Sequence, residues 1–349
     1  MIDKSKKKGI SFGLMILIGA AVLFAVQLIS VAVGSVDIAV SDVLRLTAHK
    51  LFGLGDVSDI ADSASIIIFS VRLPRVILSS LVGACLAISG CIMQSLLKNP
   101  LADGSILGVS SGAALGASLS IMFSFRLDFL NMFSMSFMSM VFAFASLMAV
   151  LAIARAIDAN LSNNTIILVG VVFSMFVSSI VNLIVSMSGD HLRKIIFWSM
   201  GSFSGKGWSF VLMLLPFFIA GALVMLLYSR ELNAFSLGES EAKYIGVNVR
   251  RVKIILLIAV SMLVGVSVAL SGSIAFVGLI IPHMVRRVAG PDHFKLLPLS
   301  ILGGAAFLTI TDLISRTLIR PAELPVGVIT SFVGAVLFML IFLRTRRVR

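Results

Sequence analysis

Apolar stretches separated by short polar breaks run through nearly the whole chain and predict membrane-spanning helices near residues 10–33, 74–96, 105–124, 133–154, 164–187, 209–229, 252–271, 274–288, 296–315 and 326–343. That makes ten spans, each to be judged against the roughly 20 residues a helix needs to cross a bilayer. The eighth is the shortest: SIAFVGLIIPHMV, with Gly272, Gly278 and Pro282 in or beside it, reads as a broken or re-entrant helix. Three connections are longer than turns. Residues 34–71 predict an outer loop with a short helix started by Ser41 or Asp42, and residues 188–208 place Trp198 and Trp208 as interfacial aromatics. Residues 230–251, RELNAFSLGESEAKYIGVNVRR, form the longest and most polar inner loop.

A repeat organises this pattern. Residues 79–100, SSLVGACLAISGCIMQSLLKNP, return at 261–282 as SMLVGVSVALSGSIAFVGLIIP, with 10 of 22 positions identical. The identities include Gly83/Gly265, Gly90/Gly272 and Pro100/Pro282, whose backbone roles are hard to exchange. With both ends inside, 18 of the 28 Lys and Arg fall on the cytoplasmic side, and the repeated segment enters from outside as the second span and from inside as the seventh. The expected fold is therefore an all-α polytopic membrane protein of about ten spans. It forms one transmembrane domain over 1–349, with inverted-topology halves near 72–190 and 252–343 and a long inner loop at 230–251, an arrangement usual in transporters.

Composition excludes a soluble globule: 59% of residues are hydrophobic, 13% are charged and the mean hydropathy is +1.11. The net charge of +12 does not indicate nucleic acid, because the basic residues lie between apolar segments rather than in a basic domain. Membrane lipid is the expected surroundings. Gly9–Val33 is uncharged and follows Lys4, Lys6, Lys7 and Lys8; it is too long for the apolar region of a signal peptide and reads as a retained span. Cys85 and Cys91 stand apart in an apolar helix and read as small buried hydrophobes.

Candidate chemistry is sparse. Gly104, Gly108, Gly112 and Gly116 recur every four residues, which predicts a glycine stripe on one helix face, for close packing or for lining a path. Asp312 is the only carboxylate inside a predicted span and stands four residues before Arg316, the spacing of a local ion pair. SMGSFSGKG lacks the first glycine and the Ser/Thr of a phosphate-binding loop, so no ATP site is read in this chain. The four histidines do not cluster and no metal site is expected. In the inner loop, Gly238, Glu239, Glu241, Ala242, Lys243, Ile245 and the stop at Gly246 read as a short amphipathic docking helix centred on Ala242. At the outer side, Arg72 and Arg75 flank Pro74 while Arg316 and Arg320 end the ninth span. They read either as headgroup anchors or as a positive rim for an acidic partner.

Together VRLPR, GACLAISGCIMQSLLKNPLAD, LRKIIFWSMGSFSGKGW, NAFSLGESEAKYIGVNVRR, GSIAFVGLIIPHMVRRVAGPDH and DLISRTLIRPAELPVGVITSFVG resemble, over nearly the whole chain, the permease subunits of ABC importers for iron-siderophore, haem and vitamin B12. The resemblance implies a dimer of this chain or a close paralogue, two cytoplasmic ATPase subunits that hold ATP and magnesium, and an extracytoplasmic substrate-binding protein. The permease itself carries no catalytic residue and no cofactor. It further implies ATPase coupling through Gly238, Glu239, Ala242, Ile245 and Gly246, and binding-protein docking by Arg72, Arg75 and Arg316. A cytoplasmic gate is implied at Asn99, Leu101, Asn163 and Asn164, although Asn163-Asn164 replace smaller hydroxyl residues and Ile245 stands where leucine is frequent. The expected location is the plasma (inner) membrane of a prokaryote with both termini cytoplasmic, and the expected cargo a metal chelate, ferric siderophore before cobalamin or haem. An ion-coupled secondary transporter dependent on Asp312 is the alternative from another class.

Overall fold

Backbone polar groups in lipid must be satisfied within their own segment, and the apolar runs accordingly form helices. The computed structural model describes residues 11–34, 38–54, 56–57, 60–125 and 133–346; the lysines at 4–8 lie outside them. The helices are α1 Phe12–Ala32, α2 Val40–Phe52, α3 Asp62–Ile66, α4 Leu73–Leu96, α5 Val109–Met122, α6 Ser134–Ile157, α7 Asn163–Met187, α8 Leu192–Ser199, α9 Trp208–Leu227, α10 Ser229–Leu237, α11 Glu239–Tyr244, α12 Val249–Ser271, α13 Val277–Ala289, α14 His293–Thr317 and α15 Val326–Arg346. Among the described residues, seven segments are long and apolar enough to cross a membrane: α1, the continuous Asp62–Leu96, α6, α7, α9, α12 and α14. The apolar helix α5, the apolar part of α15 and the half-length α13 bring the count to about ten. Within Asp62–Leu96 the turn Ile67–Arg72 is π-helical, next to Pro74, which has no N–H to give the preceding turn.

Several boundaries differ from expectation. The loop helix α2 starts at Val40 behind Ala39, which has no side-chain cap, so Ser41 and Asp42 lie in its first turn rather than before it. The third span is shorter than 105–124: Gly104–Leu107 is a 3₁₀ turn and Gly108 is left-handed at φ +74°, so α5 begins only at Val109. The eighth is broken as expected, beginning at Val277 after an irregular stretch from Gly272. Much of the polar loop 230–251 is helical, as α10 and α11.

The repeats run in opposite directions. The stretch that leads from α8 into the first residue of α9 touches both the start of the long second helix, through Trp208 Nε1 donating to Phe69 O at 2.8 Å, and the end of α12, through Ser202 N donating to Ser271 O at 2.7 Å. One repeat therefore begins at the face of the bundle where the other ends. Their packing is reciprocal: α4 contacts α13 and α14 of the second half, and α12 contacts α5 and α6 of the first, while α4 and α12 meet each other at the centre. Both helices are almost wholly buried.

Small residues allow this approach. Gly90 faces Gly278 so closely that a Cβ there would lie 2.5 Å from the Gly278 Cα, and Gly83 stands against Gly304 in the same way. Pro282 frees the carbonyl of Gly278, and the Gln94 amide of α4 donates to it at 3.3 Å and to Leu279 O at 3.0 Å. A buried donor from one repeat thus fills the gap that the shared proline leaves in the other.

Candidate functional site

The end of the bundle rich in Lys and Arg, inner by the charge rule, carries α10 and α11. Gly238, with φ +155°, separates the two helices. The end of α11 is closed by Gly246 N donating to Lys243 O at 3.0 Å and Val247 N to Ala242 O at 3.0 Å, the paired bonds of a Schellman motif with Gly246 at φ +90°. This stop agrees with the sequence reading; the centre of the face does not. Ala242 is 0% exposed, buried within the chain, whereas Leu237, Tyr244 (90% exposed) and Ile245 point outward. Three large side chains with apolar bodies thus stand exposed at a polar end, among the exposed Glu241, Lys243 and Gly246.

The loops at this end are tightly built. Asn99 Oδ1 accepts from Leu101 N at 2.9 Å, leaving the Leu101 side chain exposed. Before α7, Asp158 accepts from Asn160 N and Ser162 N, each at 2.9 Å, and the Ser162 hydrogen bonds hold its carboxyl below the usual range. Asn163 and Asn164 open α7. Two groups here were not singled out from the sequence. Lys253 of α12, only 2% exposed, pairs with Glu239 at 2.8 Å and donates to Leu161 O at 3.2 Å. His293, also buried, bridges Ser95 at 2.6 Å and Asn233 at 2.7 Å. Lys253 reads in sequence as one more cytoplasmic cation, and His293 has no neighbouring ligand pattern.

At the other end the arginines do not form an open rim. Arg72, Arg75 and Arg316 are all buried. Arg72 donates to Val31 O and Ala32 O at 2.8 and 2.6 Å, and Arg316 to Ser30 O and, at 2.5 Å, to Ser30 Oγ. They thereby satisfy the last carbonyls of α1, which no residue of that helix can reach. Asp312 is not simply the local partner of Arg316, which lies 3.6 Å away: Arg75 holds it at 2.9 Å and also pairs with Glu323 at 3.0 Å. A cavity of about 170 Å³ opens beside the cluster, lined in part by Arg72, Arg75, Arg316, Arg320 and Glu323.

The glycine stripe divides. Gly112 and Gly116 face α6 at Ser146, Phe142 and Met138, but Gly104 packs on Val264 of α12 and Gly108 on Phe173 of α7. All four are in close packing with neighbouring helices. Lys206 of the SMGSFSGKG stretch lies 4.3 Å from the Phe210 ring centroid, and burial pushes its ammonium down to about 8. Cys85 and Cys91 are buried in the core.

Two oppositely directed repeats, each running into a shortened helix, α5 and α13, define a membrane transport protein. The chain belongs to the FecCD transport family, whose model matches residues 20–344. It is 44% identical over 331 residues to the ABC transporter permease YvrB of Bacillus subtilis, covering 95% of this chain and 94% of that one. It is 40% identical to the hemin transport permease HmuU of Yersinia pestis, over 80% of this chain and 84% of that one, and 40% identical to the cobalamin import permease BtuC of Halobacterium salinarum, over 83% and 76%. A solved inward-facing metal-chelate type ABC transporter superposes with a TM-score of 0.82 at 32% identity, covering 95% of this chain and 99% of that one.

Proposed function

We propose that this chain is the transmembrane permease of an ATP-driven importer for a metal chelate, ferric siderophore first, with cobalamin and haem as the next candidates. It acts as a dimer with itself or a close paralogue, in the plasma membrane with both termini inside. Two separate ATPase subunits, holding ATP and magnesium, seat on residues 238–246, and a binding protein delivers cargo at the opposite face. The observation that carries this reading is the α10–α11 turn: Leu237 at the end of α10 and Tyr244 and Ile245 at the closed end of α11 are exposed at the polar end of the bundle, where apolar side chains gain free energy by docking.

In this reading ATP closes the ATPase pair, the α10–α11 segment moves with it, and the loops at Asn99–Leu101 and Asn163–Asn164 open or close the inner mouth. Arg72, Arg75 and Arg316 support the outer face differently from free docking cations. With their charges already matched by Asp312, Glu323 and the end of α1, they hold the surface in shape, and Arg75 with its half-exposed partner Glu323 is the element an incoming carboxylate can compete for. The ion-coupled alternative would act through Asp312, which is fully buried and already paired with Arg75 and Arg316.

The test is uptake into proteoliposomes containing this chain and its co-expressed ATPase, binding protein outside and ATP inside, with ferric siderophore, cobalamin and haem offered separately. ATP-dependent accumulation of one of them is the expected result. Uptake that ignored ATP and followed a proton or sodium gradient would overturn it.

A further inference from the structure

Lys253 and His293, neither singled out from the sequence, connect the α10–α11 segment to different loops: Lys253 meets α11, and His293 meets α10. Glu239 opens α11, and its carboxylate holds the Lys253 ammonium at 2.8 Å. The same ammonium donates to Leu161 O at 3.2 Å, immediately before Ser162-Asn163-Asn164. On the other side, Asn233 of α10 donates through Nδ2 to Asp292 at 2.8 Å, which leaves its Oδ1 as acceptor for both the backbone N–H and Nδ1–H of His293, at 2.9 and 2.7 Å. The His293 Nε2 is then the acceptor for the Ser95 hydroxyl at 2.6 Å. Ser95 sits in the last turn of α4, four residues before Asn99.

We propose that Lys253 and His293 are positioning residues that carry movement of α10–α11 separately to the two inner loops, Lys253 to Leu161–Asn164 and His293 to Asn99–Leu101. This inference rests on the reading of 238–246 as the ATPase seat and of these loops as the inner gate. A buried ammonium cannot leave its two acceptors without standing uncompensated, so Glu239 and the Leu161 carbonyl move together or the contact breaks at high cost. The imidazole, with one donor and one acceptor nitrogen each engaged, is likewise fixed between α10 and α4. Each relay is a contiguous chain of contacts, the physical route through which coupling can pass.

The experiment uses the assembled permease–ATPase complex with a single reporter, Asn164→Cys or Leu101→Cys, labelled by a membrane-impermeant maleimide in the nucleotide-free and ATP–vanadate-trapped states. Both native cysteines are buried, so the reporter gives the signal. In the parent, trapping is expected to change labelling at each reporter within the about 5–150-fold range usual for coupled sites. Lys253→Met should abolish the change at Asn164→Cys and spare that at Leu101→Cys; His293→Ala should do the reverse, with the ATPase still co-purifying. Glu239→Gln and Asn233→Ala break the same relays from the helix side, and Lys253→Arg and His293→Gln should restore the response. A parent that responds while the variants change neither reporter, or silence both together, overturns the inference alone. A parent that does not respond at either reporter overturns the importer reading and this inference with it.

Discussion

Asp312 is fully buried and shared by Arg75 and Arg316. Asp312→Asn leaves two buried guanidinium groups short of negative charge, and removal of one partner from such a group costs about 3–5 kcal/mol. The purified variant should therefore melt well below the parent. Glu323→Gln should fall within about 0–1 kcal/mol, because that carboxylate is 39% exposed and water replaces what is lost. Equal destabilisation by the two variants would show that the cluster is solvated. Gly90 offers a second contrast. A Cβ there meets the Gly278 backbone, so Gly90→Ala should cost about 1–3 kcal/mol by overpacking. Gly13→Ala, with nothing within 4 Å, should leave the melting temperature unchanged.

The short helix α11 separates two effects that the sequence merges. Ala242 supports the turn from inside, so Ala242→Trp would disrupt α11 itself and report on folding rather than on docking. Tyr244→Glu with Ile245→Glu changes only the outward face and leaves the Gly246 cap intact. Co-purification of the ATPase should drop at least about tenfold for that double variant, since burying a charge in an apolar contact costs several kcal/mol. An unaffected yield would remove α11 from the docking surface. The half-length α13 owes its position to a similar division of labour. Gly278 lets it approach α4, and Gln94 satisfies the carbonyl that Pro282 frees.

Over the assembled bundle, the opposed halves place α10–α11 and the arginine cluster at opposite ends. With both buried cysteines retained, Tyr244→Cys should react with an impermeant maleimide only after the membrane is opened, and Ser204→Cys in intact cells. The reverse pattern would invert the orientation inferred from the 18 of 28 basic residues. Reciprocal packing also ties the halves together: α4 cannot tilt without α14, nor α12 without α6.

Hydropathy reports the average solvent of each residue, and it was sufficient for most of the spans and the shortened eighth helix, while residue identities marked the repeat and the placement of Lys and Arg its opposite orientation. Gly246 as a helix stop was also legible, because a left-handed cap is a local event that one residue type performs best. Partner choice was not legible. Arg75 finds Asp312 across 237 positions, Ser95 finds His293 across 198 and Lys253 finds Leu161 across 92. A charge at the end of an apolar run has the same local pattern whether it meets water, lipid headgroups or a buried carboxylate. Whether the arginines anchor to headgroups or form a rim, and which way Ala242 faces, were both settled by which helix lay opposite. So was the separation of Gly104 and Gly108 from α5: their four-residue spacing persists in the chain, but a 3₁₀ turn and a left-handed glycine send them to different neighbours.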